Sequence, residues 1–154
     1  MIKYNKLKNI KKSSSILMIY ILFLLFFVVL KLNSPIIWST REHIIENRLL
    51  GYWNFNLIPF KTIKNMFIDN NYLNILGNIL PFLPLGFLIS ISYTETSIIK
   101  STLKCIIIII FFEIIQFFSC LGFFDIDDIL LNTFSCFLGI ILYIYIYRIR
   151  KSSK

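Results

Sequence analysis

Long apolar runs separated by short polar breaks dominate the chain. Ile16 to Leu30 contains no charged residue, and Leu73 to Tyr93, Cys105 to Leu121 and Ile129 to Tyr147 are almost as apolar. Runs of this kind predict membrane-spanning helices, because a hydrocarbon core of about 30 Å needs roughly 20 apolar residues. The expected fold is an all-α membrane protein with four transmembrane helices. A long extracytoplasmic connection, residues 33–72, links helices 1 and 2. Residues 1–15 form a basic cytoplasmic N-terminus, 16–147 the membrane domain, and 148–154 a basic cytoplasmic tail.

The polar positions inside the runs follow the helical period. Asn74 and Asn78 are four apart, so they share a face. Glu113 and Gln116 share a face of the third run, and Asp128 and Asn132 share one at the start of the fourth. Pro81 and Pro84 predict a kinked or partly broken second helix, freeing the carbonyls of Gly77 and Leu80. Gly77, Gly86, Ser135 and Gly139 offer close helix approach.

Composition agrees with a membrane protein. The 154 residues are 57% hydrophobic, too apolar for the surface of a soluble domain of this size. The net charge of +8 does not indicate nucleic acid, since most basic residues cluster near the ends. Both termini and the short middle loop carry lysine or arginine, and the loop from Gly122 to Asp128 carries none. Positive-inside asymmetry therefore sets both termini in the cytoplasm. The basic N-terminus and apolar run resemble a signal peptide, but the stretch after Lys31 lacks a small-x-small cleavage motif. Cys105, Cys120 and Cys136 lack metal-ligand spacing and read as free packing residues. His43, in Arg41–Glu46, reads as a solvated residue of a short amphipathic helix. Trp38, Tyr52 and Trp53 suit a headgroup belt, and the turn around Pro59 is expected to dip into the interface.

Four of the eight acidic residues fall between Glu113 and Asp128. A charge at membrane depth costs about 2.5–3.5 kcal/mol on insertion scales. With no Lys or Arg in the later spans, Glu113 must be protonated, bonded to the Asn and Gln set, or bound to a cation. In the expected topology Asn74, Asn78, Glu113, Gln116, Asp125, Asp127, Asp128 and Asn132 converge near the outer end. Taken singly, each amide could bridge helices, Asp125 and Asp127 could be solvated, and Asp128 could cap the last helix.

At these positions the chain resembles the VanZ-like family, named for a teicoplanin-resistance protein. The motifs are Asn74 and Asn78 followed by Phe82-x-Pro84-x-Gly86, then Glu113-x-x-Gln116, then Asp125-x-Asp127-Asp128-x-x-x-Asn132 with Gly139. Asn56 to Lys61 resembles the pre-helix segment, and the match spans about residues 55–142. Phe123-Phe124 stand where many members carry a basic or small polar residue, and Ser135 where glycine is usual. The resemblance implies lowered susceptibility to teicoplanin-type glycopeptides at the outer membrane face. Two mechanisms remain open. One is binding of a membrane lipid, a lipid-linked cell-wall precursor or the drug at the polar site. The other is a membrane enzyme with Glu113 as catalytic base and the Asp cluster on a divalent cation such as Mg²⁺. A transporter would require an oligomer. No cofactor is identified.

Overall fold

A computed structural model describes residues 2–30, 35–93 and 97–152. The fold is built almost wholly from helices. Helix α1 (Ile2–Leu24) runs on as a π-helical stretch, Leu25–Leu30. Helix α2 (Pro35–Leu49), strand β1 (Phe55–Asn56) and helix α3 (Lys61–Ile68) make up the connection. Helices α4 (Tyr72–Ser92), α5 (Ile98–Ser119) and α6 (Ile126–Ser152) follow, with strand β2 (Phe124–Asp125) just before α6.

Helices α4 and α6 form the central pair. Both are long and apolar enough to cross a membrane, and Ser13–Phe27 is a shorter apolar helix. The contacts advance in step along both helices. Asn78 meets Asp128, Phe82 meets Cys136, and Phe87 meets Tyr143, so the pair is parallel. Small residues set the crossing. A Cβ at Gly86 would collide with the carbonyl of Cys136, and one at Gly139 with that of Leu83. Ser135 donates a hydrogen bond to the Ile79 carbonyl beside them. Such close approach supplies the van der Waals contact that holds helices together where lipid offers no hydrophobic drive.

The other two long helices run the opposite way. On α1, Tyr20 Oη donates to the Pro81 carbonyl at 2.6 Å, and the Ser13 carbonyl accepts from Ser92 at 2.9 Å. On α5, Ser101 meets Ser90, and Phe112 packs edge-on against Phe82. Leu17, Leu24, Leu85, Ile89, Ile109 and Ile140 fill the space between them. Cys105, Cys120 and Cys136 are free and buried, as expected for packing residues.

Several expectations need correction. Helix α4 is continuous through Pro81 and Pro84 rather than broken. The Tyr20 hydroxyl and the Ser135 and Cys136 side chains bond α4 carbonyls around them. Gly77 is not at a helix contact, because a Cβ there would meet nothing within 4 Å. Helix α5 begins at Ile98, seven residues before the apolar run at Cys105. The turn after Gly122 is not a free acidic loop. It pairs in parallel with the connection, Phe55 opposite Phe124 and Asn56 opposite Asp125. The missing cleavage motif falls on 31–34, and Glu95 on 94–96, outside the described residues.

Candidate functional site

The site forms where α4 and α6 begin and α5 ends. Its anchor is Asp127, which is wholly buried. Helix α3 opens with N–H groups that lack intrahelical partners, and its own N-cap residue, Phe60, offers no side-chain bond. Asp127 supplies the acceptor from 65 residues away in sequence. Its Oδ1 accepts from the Phe60 N–H at 2.6 Å, and its Oδ2 from Thr62 N–H at 2.7 Å and Ile63 N–H at 3.1 Å. A carboxylate at a helix N-terminus also meets the positive end of the macrodipole.

Asp125, the residue before α6, accepts from the Asp127 N–H at 2.9 Å and so holds the N-cap position expected of Asp128. It also takes the Thr62 hydroxyl at 2.6 Å and the Asn56 amide at 3.3 Å. Both carboxylates are therefore buried and bonded, not solvated loop charges. Glu113, 2% exposed on α5, accepts from the Asp125 N–H at 3.2 Å. Asn78 donates to Asp128 Oδ1 at 2.5 Å.

A second clasp lies beside this one. Arg48, at the end of α2, donates through Nε to Asn54 Oδ1 at 2.8 Å and through Nη2 to the carbonyl of Phe117 on α5 at 2.5 Å. The Asn54 amide donates to the Gly122 carbonyl at 2.6 Å. The Arg48 guanidinium lies over the rings of Trp53 and Phe117, at 5.4 and 4.8 Å from their centroids. The clasp holds the end of α5, where Cys120 adopts a left-handed conformation (φ 58°) and ends the helix.

Between the clasps opens a cleft of about 390 Å³, lined by Asn56, Lys61, Thr62, Gln116, Leu121, Gly122, Phe123, Asp125 and Asp128. Its volume falls within the range of small-ligand sites. Gln116, Asp125 and Asp128 among the expected residues line it. Asn78 reaches it through Asp128, and Glu113 and Asp127 stand behind it. Asn132 is 2% exposed, and its Oδ1 has no hydrogen-bond partner. Asn74 is exposed and does not line the cleft. His43 is exposed beside Glu46, at 3.8 Å.

Sequence reasoning missed Arg48, Asn54, Asn56, Lys61 and Thr62 as site residues, all contributed by the connection. One signal pointed to two of them: the segment from Asn56 to Lys61 resembled a family motif. Lys61 supplies the cleft with a cation that Phe123-Phe124 do not. Chemically, the cleft offers an ammonium, carboxylates, amides and a hydroxyl, a set suited to hydrogen-bonding a polar head. Asp127 has both oxygens taken by backbone N–H groups. Among the described residues, no three His, Cys, Asp or Glu side chains are grouped to hold a metal ion.

A family model described as VanZ/LLP1 matches residues 17–148. The chain belongs to the VanZ/LLP1 family. Protein VanZ of Enterococcus faecium is 28% identical over 131 residues, covering 85% of this chain and 73% of that relative. No solved structure matches. Membership of this family, together with the apolar helices α4 and α6, makes it a membrane protein.

Proposed function

We propose that this VanZ/LLP1 protein crosses the plasma membrane four times with both termini cytoplasmic. It lowers susceptibility to teicoplanin-type glycopeptides by binding a lipid, a cell-wall precursor or the drug in the polar cleft. Alternating helix directions support the topology: α1 and α5 run against α4 and α6. Lys100 and Lys104 open α5, and Arg148 to Lys151 close α6, so both groups lie at the end opposite the cleft. The positive-inside rule makes that end cytoplasmic and turns the cleft outward.

The observation that carries the binding reading is the cleft lining. Gln116, Asn56, Thr62, Lys61 and Asp128 present donors and acceptors together at one end of an apolar bundle. Acid–base catalysis finds less support, because Glu113 is buried behind the cleft wall and bonded to the Asp125 backbone. Two variants test the proposal by teicoplanin inhibitory concentration in a susceptible host at matched expression. Glu113→Gln keeps the hydrogen-bonding shape and removes ionisation, so protection is expected to persist. Asn78→Leu removes the donor that orients Asp128, so protection is expected to fall at least fourfold. The opposite pattern, with Glu113→Gln inactive and Asn78→Leu intact, would favour catalysis.

A further inference from the structure

The cleft wall is interrupted by a stretch of a different character. Asn56, Lys61 and Thr62 line the cleft, while the four residues between Asn56 and Lys61 turn outward. Leu57, Ile58 and Phe60 are more than half exposed, Ile58 at 60% and Phe60 at 65%. Phe67 and Ile68 at the end of α3 are exposed as well. None of these residues belongs to a spanning helix. Helix α3 has eight residues, about 12 Å of rise, far short of a hydrocarbon core of about 30 Å.

Backbone geometry strengthens the point. Phe60 sits in the left-handed region (φ 64°), where a bulky residue is strained. Its N–H is held there by Asp127. The fold thus maintains a strained conformation at a phenyl ring that meets no protein core. Lys61 and Lys64 follow directly, both exposed, and α3 contains no acidic residue. A three-residue turn, 69–71, then leads into the membrane helix α4. Apolar tips flanked by lysines at the end of a membrane helix match the layered chemistry of a phospholipid surface, where acyl chains lie just beneath anionic phosphates.

We propose that the turn from Leu57 to Phe60 is a wedge seated in the phospholipid headgroup layer at the cleft end of the bundle, with Lys61 and Lys64 against lipid phosphates. The partner is the bilayer itself. The wedge fixes the cleft mouth at headgroup level, because cleft-lining residues bracket it on both sides. The inference concerns position alone and stands whether or not the protein protects against a drug.

The chain has two tryptophans, Trp38 and Trp53, so a position-specific reporter is straightforward. Both are changed to Phe, and Ile58→Trp or, separately, Leu57→Trp is introduced into the full chain. The protein is reconstituted into phosphatidylcholine–phosphatidylglycerol vesicles, some with lipid brominated high on the acyl chain. Brominated lipid is expected to quench the reporter at least twofold, while aqueous iodide quenches it at least fivefold less than free tryptophan. Strong iodide quenching without bromolipid quenching would place the turn in water and overturn the inference. Protection from both quenchers would show that protein, such as a second copy, covers the turn, and would overturn it equally.

Discussion

Asp127 shows how one side chain can organise a region distant in sequence. Its two oxygens accept three backbone N–H groups from Phe60, Thr62 and Ile63. Hydrogen bonds to a buried charge contribute about 1.5–3 kcal/mol each, net of desolvation. Asp127→Asn keeps the volume but turns one acceptor into a donor that faces donors. The variant is expected to lose about 1–3 kcal/mol of stability, read as a lower Tm in detergent. Trypsin is expected to cut faster at Lys61 and Lys64, because the start of α3 is released. Unchanged Tm and unchanged cleavage would show that α3 does not depend on this carboxylate. The aspartates were visible in the sequence as a cluster, but their separate duties were not. Asp125 caps α6, Asp127 caps α3, and Asp128 alone faces both Asn78 and the cleft. Only the positions of the partners distinguish them.

At the scale of elements, the α4–α6 crossing brings Asn78 to Asp128 at the edge of the cleft, since these residues come from the two helices. Gly86 and Gly139 allow the crossing through backbone contact, whereas Gly77 faces open space. Two alanine variants should therefore behave oppositely. Gly86→Ala is expected to destabilise the fold, because a helix backbone cannot yield to the new methyl group. Gly77→Ala is expected to be neutral or mildly stabilising, since alanine restricts the unfolded chain more. Thermal melts of the pair at equal detergent concentration check this, and equal loss in both would contradict the crossing described. From sequence, Gly77 and Gly86, both in the second apolar run, looked alike as small residues. Which one meets a neighbour depends on helix rotation, which the apolar pattern does not define in a helix hydrophobic nearly all round.

For the whole molecule, polarity is divided between two ends. The amide and carboxylate groups gather where α4 and α6 begin, and lysines and arginines of α5 and α6 gather at the other end. Reporter fusions after Tyr93 and after Phe124 are expected to give a cytoplasmic and an extracytoplasmic signal respectively. A cytoplasmic signal after Phe124 would invert the orientation and turn the cleft inward. The connection from Pro35 to Ile68 is a working part of this architecture. It contributes Arg48 and Asn54 to one clasp, Thr62 to the other, and Lys61 to the cleft.

Amino-acid order alone was enough for the helical class, the membrane setting and the common end of Asn78, Glu113, Gln116 and Asp128. These follow from local properties: apolar run length, the 3.6-residue period and the alternating direction of successive long helices. Tertiary structure decided that α2, β1 and α3 fold onto the bundle, that Asn74 stays outside the cleft, and that Lys61 lines it. The physical reason is that the bonds concerned join residues more than 60 positions apart, such as Arg48 to Phe117 and Thr62 to Asp125. A hydrogen bond between such partners leaves no periodic trace in either segment, so it becomes visible only once the chain has closed on itself.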